Sequence, residues 1–246
     1  MKEEIGRQVL RLAALLFAGG GLWMLIAWRR GRLDGRAAGL AYAMEIVVLA
    51  VIFAPAYLGG AWMAVTVAML AAACTWELYA VLDRAAMKRY RVLGLVYPGF
   101  CLAHLLALSA RADGFGEIVF CYGLVEVNDS IAYLAGRSIG GRKLWPEMSP
   151  NKTVAGSVIG LAATVALAPL FRFAVPALTV AQVLGGAALL AAGGQVGDLV
   201  ASRFKRRAGV KDYGSLIPAH GGVLDVYDSL IFVSPLFYYY LALCRR

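Results

Sequence analysis

Three aspartates in the last quarter of the chain have the residue type and spacing of a metal site. Asp225 and Asp228 are three residues apart, so they would share one face of a helix, and Asp198 follows a glycine-rich run upstream. Carboxylate oxygens suit hard cations such as Mg²⁺, and three unpaired acids would repel one another where water is scarce. We therefore expect Asp198, Asp225 and Asp228 to hold one divalent ion. For Asp225 alone, capping of the following helix is an equal alternative.

Groups that suit phosphate oxygens lie close to these acids in the sequence. The backbone of Gly221 and Gly222 could form an anion nest. His220 could act as an acid or base, donate to a phosphate, or only pack in its loop. A basic cluster lies upstream and consists of Lys205, Arg206, Arg207 and Lys211. By itself this cluster would be an ordinary group of charges at the end of a membrane span.

A second polar segment, residues 136–153, adds further anion-binding groups. Ser149, Lys152 and Thr153 present hydroxyls and an ammonium where we expect a helix to begin, and a helix N-terminus with a lysine attracts anions. Pro150 is equally explained as a helix-start residue. Carboxylates for a metal together with cations for phosphates favour transfer at a phosphorus atom, in which the protein mainly positions groups and neutralises charge.

The elements that must position these groups are membrane helices. The chain has 246 residues, of which 61% are hydrophobic and 16% charged, whereas soluble proteins have roughly 45–50% apolar and about 25% charged residues. Continuous apolar runs of about 20 residues predict an all-α, polytopic integral membrane protein with about eight transmembrane helices in a single membrane domain, 1–246. The predicted spans are 8–28, 38–56, 60–82, 92–110, 116–136, 153–174, 178–202 and 227–243.

The charge distribution predicts the orientation of these spans. Of the 24 Lys and Arg residues, 17 fall in the connections after spans one, three, five and seven. Because Lys and Arg collect in cytoplasmic loops, those connections should face the cytoplasm. Both termini should then lie on the other side of the membrane. The protein is then expected in the inner (cytoplasmic) membrane with its polar segments facing the cytoplasm. The same bias explains the net charge of +9 without a nucleic-acid partner.

Other polar residues inside the predicted spans have open interpretations. Glu126 and Asp129 share one helix face, while Glu45 and Glu77 are either functional or paired structurally. The four cysteines show no metal-ligand spacing and are expected to pack. The first apolar run ends in "WRRGR" and not at a cleavage site, so we interpret it as a retained helix.

The stretch from Ser202 to Asp228 resembles the C-terminal signature of the phosphatidate cytidylyltransferase family. That pattern is Ser, two residues, Lys-Arg, four residues, Lys-Asp, and then Pro-x-His-Gly-Gly-x-x-Asp-Arg-x-Asp. The matching residues are Ser202, Lys205, Arg206, Lys211, Asp212, Pro218, His220, Gly221, Gly222, Asp225 and Asp228. Two upstream segments are also similar to the family, through Asp129, Tyr133, Gly136, Ser149, Pro150, Lys152, Thr153 and Gly156. The likeness covers roughly residues 40–243, so 1–36 is expected to be a variable helix and loop before a core at 37–246.

The resemblance implies a reaction and assigns residues to it. The phosphate of phosphatidic acid would attack the α-phosphorus of CTP, which gives CDP-diacylglycerol and pyrophosphate. It implies Mg²⁺, with a second cation left open, and a homodimer. The implied catalytic residues are Asp198, Lys205, Asp225 and Asp228, with the three aspartates as metal ligands. The implied substrate-binding residues are Asp129, Ser149, Lys152, Ser202, Arg206, Lys211, Asp212, His220, Gly221 and Gly222.

Three departures from the family pattern leave alternatives open. Val226 replaces an arginine, and Ala155 and Ala201 replace acids, with Arg207 as a candidate to supply the missing positive charge. These changes keep two other hypotheses in view. One is a related nucleotide-dependent enzyme that acts on an isoprenoid phosphate or alcohol. The other is a catalytically inactive membrane protein of the same fold.

Overall fold

The computed structural model describes residues 2–29, 34–85, 87 and 90–245, and its named regular elements are helices apart from one short hairpin. Five residues of the charge argument lie outside the described residues: Arg30, Arg32, Lys88, Arg89 and Arg246. The elements are α1 (Lys2–Arg29), α2 (Gly35–Leu58), α3 (Gly60–Arg84), α4 (Arg91–Val96), α5 (Gly99–Ser109), α6 (Gly114–Ile139), β1 (Lys143–Trp145), β2 (Ser149–Thr153), α7 (Val154–Leu167) with a 3₁₀ extension (Ala168–Ala174), α8 (Val180–Arg207) and α9 (Val223–Cys244).

Seven of the described helical segments are long and apolar enough to cross a membrane. They are α1, α2, α3, α6, α7 with its extension, α8 and α9. Their length matches a hydrocarbon core of about 30 Å, which a helix of roughly 20 residues crosses. The all-α class is therefore confirmed, and the chain is an integral membrane protein.

The predicted fourth span, 92–110, is not one continuous helix. It consists of α4, with 6 residues, and α5, with 11 residues. Pro98 stands at the N-cap of α5, and a proline lacks the N–H that would continue the preceding helix. The segment nevertheless runs from one end of the bundle to the other: the Tyr90 ring lies 5.9 Å from that of Phe204 near the end of α8, and Arg111 reaches Glu117 near the start of α6.

The two ends of the bundle carry different groups. At one end, which we name the site end, α9 begins beside the C-terminal ends of α3 and α8, since Val223 bonds to Glu77 and Lys205 pairs with Asp225. At the other end, Arg245 pairs with Asp113, and the Lys2 ammonium lies 5.3 Å from the centre of the Tyr57 ring. The beginning and the end of the described chain therefore lie at the same end, as the sequence predicts.

Small residues bring together the helices that carry the polar groups. A Cβ at Gly156 of α7 would lie 2.5 Å from the carbonyl oxygen of Ala132 on α6, so the two backbones are in contact there. On α8, a Cβ at Gly197 would lie 2.5 Å from Cβ of Phe232 on α9. Glycine permits such close approach between membrane helices. These contacts hold α6, α7, α8 and α9 as one unit around the site end.

Candidate active site

The Lys152 ammonium is surrounded by carboxylates from three helices. It forms an ion pair with Asp198 of α8, and Asp129 of α6 and Asp228 of α9 also attract it. Lys152 and Asp198 are about a quarter exposed, whereas Asp228 is buried. The sequence placed Lys152 in an anion site and Asp198 in a metal site. The structure brings these two predicted sites together.

A second lysine–aspartate pair lies beside the first and is more deeply buried. The Lys205 ammonium lies 2.7 Å from Oδ1 of Asp225, and the two side chains are 10% and 5% exposed. It also lies 5.4 Å from the centre of the Tyr213 ring and attracts Asp228. The end of α8 and the start of α9 are thus joined by a charge pair with little water around it.

Asp225 caps its own helix, which is the alternative that the sequence left open. Its Oδ2 accepts the N–H of Gly222 at 2.9 Å and the N–H of Tyr213 at 2.6 Å. With Oδ1 on Lys205, both carboxylate oxygens are engaged within the chain. The carboxylate satisfies an N–H at the start of α9 that has no partner in the helix, and it holds the preceding loop in place.

The glycine pair does not form an open anion nest. The N–H of Gly221 donates to the carbonyl of Ile217 at 3.0 Å, and that of Gly222 donates to Asp225. Gly221 has φ +106°, a conformation that side chains other than glycine rarely adopt. The pair instead makes the tight turn that leads into α9. Phosphate binding by Gly221 and Gly222 stays a prediction that needs these bonds to be exchanged.

The segment that carries Ser149 and Lys152 is a strand and not the start of a helix. β2 pairs antiparallel with β1, with Trp145 opposite Ser149 and Lys143 opposite Thr153. The helix begins at Val154, where the Thr153 hydroxyl accepts the N–H of Gly156 at 3.0 Å as an N-cap. The interpretation of Pro150 as a helix-start residue was therefore wrong, because the hairpin precedes the helix. The hairpin carries Lys152 to the carboxylates.

The other predicted substrate-binding residues of the C-terminal half lie at differing depths. The Ser202 hydroxyl donates to Oδ1 of Asp198 at 3.2 Å and is buried in the cluster. Arg206 donates to the carbonyls of Met148 and Val210, so it ties the hairpin to the loop after α8. Lys211 and Asp212 are exposed and 3.9 Å apart. The last two thus lie at the water-facing rim, where a soluble substrate would first make contact.

His220 is held by an acid from α2. Its Nε2 lies 3.4 Å from Oε2 of Glu45, and its Nδ1 lies 3.2 Å from the carbonyl oxygen of Pro218. The hydrogen bond to Glu45 raises the pKa of His220 above its usual value, although partial burial opposes it. Glu45 in turn contacts Glu126 of α6. The contact with Glu45 therefore favours the protonated form of His220 more than water would.

Burial also changes the pKa of two site groups that lie outside the helices, Lys152 on β2 and Tyr213 in the loop before α9. It lowers the pKa of Lys152, while the carboxylates of Asp129 and Asp228 oppose that shift. It raises the pKa of the Tyr213 hydroxyl, and Asp228 and Asp225 add to that rise. Desolvation penalises whichever form is charged, so the directions are opposite for an ammonium and a phenol.

The structure offers fewer acidic side chains for binding Mg²⁺ than the three that the sequence predicts. Within the described residues no group of three or more His, Cys, Asp or Glu side chains is placed to hold a metal ion, and Asp225 is turned to its loop. The expected three-aspartate cluster is therefore not formed. Mg²⁺ is commonly held by one or two carboxylates together with substrate phosphates and water. Asp198 and Asp228 are two carboxylates near a common position, since both attract the Lys152 cation.

Two sets of residues in the site were not singled out by sequence reasoning. Tyr213 joins the loop to α8, because its hydroxyl donates to the carbonyl of Ala201 at 3.2 Å in addition to its contacts with Lys205 and Asp225. Asn128 donates to Asp129 at 2.9 Å and accepts from Gln195 at 3.0 Å. In the sequence these residues appear only as a tyrosine in a polar loop and as amide side chains inside apolar spans. Many residues with a purely structural role have the same features.

Two of the three positions that depart from the family pattern pack among apolar groups. Ala201 is buried under Tyr213, and Val226 packs against the core. The next residue, Tyr227, is buried and donates to the carbonyl of Val48 on α2 at 3.0 Å. Nothing in the structure explains the alanine at position 155.

Comparison with known proteins supports the family. The chain matches the profile of the Cytidylyltransferase family over residues 31–244. It is 41% identical over 155 residues to a phosphatidate cytidylyltransferase of Bacillus subtilis (strain 168), an alignment that covers 61% of this chain and 57% of that protein. It is also 41% identical over 147 residues to the phosphatidate cytidylyltransferase of Staphylococcus aureus (strain COL), covering 59% and 55% of the two chains. The matched region thus spans a little over half the length of these curated relatives. Because the family profile matches most of this chain, residues 31–244, the chain belongs to the cytidylyltransferase family.

Proposed function

We propose that this protein transfers CMP from CTP to a membrane lipid phosphate, with phosphatidic acid as the substrate, to give CDP-diacylglycerol and pyrophosphate. The observation that carries the proposal is the cluster of Lys152 and Lys205 with Asp198 and Asp228 at one end of an apolar helix bundle. Both relatives compared above are named phosphatidate cytidylyltransferase. Phosphate-binding cations at a membrane surface suit two phosphate-bearing substrates, one soluble and one in the bilayer.

The two lysines have the chemistry to bind the nucleotide phosphates. An oxygen of the lipid phosphate attacks the α-phosphorus, the bond from that phosphorus to the bridging oxygen breaks, and the electron pair leaves with pyrophosphate. Negative charge therefore builds up on the leaving group, and we assign its neutralisation to Lys152 and Lys205. Since each lysine is paired with an aspartate, the substrate phosphates compete for cations that are already held in place.

Asp198 and Asp228 are the residues that we propose to hold Mg²⁺. Bound Mg²⁺ would orient the phosphates and offset their charge. Ser202 keeps Asp198 in place through its hydrogen bond. We assign Asp225 to positioning of the loop and of Lys205, so its metal ligation stays a prediction that the other two aspartates do not require.

The sidedness and assembly of the protein belong to the same proposal. CTP is a cytoplasmic metabolite, and the last turns of α3, α6 and α8, which end at the site end, carry basic residues. We therefore assign that end to the cytoplasmic face of the inner membrane. A homodimer is implied by the family resemblance and stays a prediction.

The proposal is tested with purified protein in detergent, Mg²⁺, phosphatidic acid and CTP labelled either at the α- or at the γ-phosphate. We expect the α label in a lipid product and the γ label in pyrophosphate. An isoprenoid phosphate and an isoprenoid alcohol serve as parallel acceptors. A γ label in the lipid would show a kinase, and no label in any lipid would show an inactive protein. Either result contradicts the proposal.

A further inference from the structure

A glutamate of α3 that the proposed reaction does not use is buried beside the start of α9. Glu77 lies about two turns from the site end of α3 and is 1% exposed. A carboxylate is costly to bury unless it is hydrogen-bonded. Its bonding partners therefore show what holds it there.

Both oxygens of Glu77 accept backbone hydrogen bonds from the first turn of α9. Oε1 accepts the N–H of Val223 at 3.0 Å, and Oε2 accepts the N–H of Leu224 at 2.8 Å. These amides have no carbonyl partner within α9, because the first N–H groups of a helix are unpaired. The positive end of the helix also attracts the negative charge. The carboxylate thus caps a helix that begins 146 residues later in the chain.

Two glycines leave the room that this carboxylate occupies. A Cβ at Gly222 would lie 2.5 Å from Oε2 of Glu77, and a Cβ at Gly214 would collide with Oε1. Any larger residue at either position would push the carboxylate away from the helix start. The loop before α9 is therefore shaped around the Glu77 side chain.

The first turns of α9 carry the acids of the candidate site. Asp225 lies one residue beyond the amides held by Glu77 and fixes Lys205, and Asp228 follows one turn later. We infer that Glu77 is a positioning residue for the transfer reaction: it fixes the start of α9 against α3 and so sets where Asp225, Lys205 and Asp228 stand. The inference rests on the proposed function, and it goes beyond it by adding a residue that touches no substrate.

Two variants and one matched control test the inference. Glu77→Gln retains one acceptor oxygen but presents an NH₂ group to the other amide of α9. Gly214→Ala keeps the Glu77 charge but pushes its carboxylate aside. Glu117→Gln is the control, because Glu117 is also a buried carboxylate, at the opposite end of the bundle, where it pairs with Arg111 and Arg245.

We expect Glu77→Gln and Gly214→Ala to lower kcat by about 100-fold, the loss that a displacement of about 1 Å at a reacting centre can cause. The KM for CTP should change by less than about 3-fold, because Lys152, which lies on β2, does not depend on the Glu77 bond and still binds the phosphates. Amide hydrogen exchange at Val223 and Leu224 should rise at least about 10-fold in both variants. Glu117→Gln should leave both the exchange at these amides and kcat close to wild type.

The outcomes separate this inference from the proposed function. Absence of CTP turnover in the wild type contradicts the proposed function, while the exchange measurement still tests the capping. If the wild type turns over CTP and both variants have an unchanged kcat, the inference is overturned. It is also overturned if the kcat of the two variants falls only as much as that of the Glu117→Gln control. If Glu77→Gln cannot be recovered folded, Gly214→Ala decides by the same two measurements.

Discussion

Replacement of Asp225 by asparagine should destabilise the protein more than the same replacement at Asp228. Asp225 holds Lys205 at 2.7 Å in a place where both side chains are nearly inaccessible to water. The Asp225→Asn variant leaves the lysine charge buried without that carboxylate. Breaking a buried ion pair by removing one partner costs about 3–5 kcal/mol.

The lower end of that range applies here, because Asp228 also attracts Lys205. We therefore expect a loss of about 3 kcal/mol in the free energy of unfolding. For a chain of this size, about 2–4 °C in Tm corresponds to 1 kcal/mol, so the Tm should fall by about 6–12 °C. Asp228→Asn keeps the Lys205–Asp225 pair and should change the Tm by less than about 4 °C, or about 1 kcal/mol.

The assay is thermal unfolding of the purified variants in one detergent, together with Lys205→Met and the double variant Asp225→Asn, Lys205→Met. Replacing a buried ion pair by well-packed hydrophobic residues is often neutral, and the double variant likewise removes both charges of this pair. The double variant should therefore recover to within about 4 °C of wild type. An unchanged Tm for Asp225→Asn, or strictly additive losses in the double variant, would refute the assignment of Asp225 to structural pairing.

Three further predictions address the histidine, the hairpin lysine and the orientation. The pKa of His220 is raised, so its bond to Glu45 contributes fully to the stability of the folded protein below the unfolded pKa of about 6.5. This stability is lost as the pH rises through the higher folded pKa. The Tm of the wild type should therefore fall over that pH window, and a Glu45→Gln variant should lose this pH dependence. A parallel pH profile of the two proteins would count against the pair. Lys152→Met should lower kcat/KM for CTP about 100-fold, whereas Lys143→Met, on the exposed strand of the same hairpin, should have little effect; equal losses would indicate damage to the hairpin. A Lys143→Cys variant should react with an impermeant thiol reagent only when the cytoplasmic face is open to it, and labelling of intact cells would reverse the proposed orientation.

The membrane spans could be predicted because they depend on length and composition alone. The runs that became α2, α3 and α6 are long and apolar, and tertiary contacts cannot easily change that. The sequence shows the proline at position 98, but the apolar run around it predicts one continuous span, whereas the structure has a break there. α8 extends to Arg207, beyond its apolar run, because basic residues favour the C-terminal end of a helix.

The arrangement of the site could be predicted only in part. The sequence identified Lys152, Lys205 and the aspartates by type, and the structure brings several of them together. It could not show that Lys152 pairs with Asp198, since 46 residues separate the two and a strand pairing sets the direction of the lysine. It also left metal binding and helix capping equally open for Asp225, because the loop amides that engage this carboxylate are set by tertiary structure.

The most direct test of the account is the rate at which label from α-labelled CTP enters lipid in Asp228→Asn, Asp198→Asn and Asp113→Asn. Asp113 is the matched control, because it pairs with Arg245 at the end of the bundle far from the site. The account predicts a fall of at least about 100-fold for the first two variants, with folded protein, and a rate near wild type for the third. Near-normal incorporation in Asp228→Asn or Asp198→Asn would contradict the claim that these two carboxylates and their lysines form the transfer site.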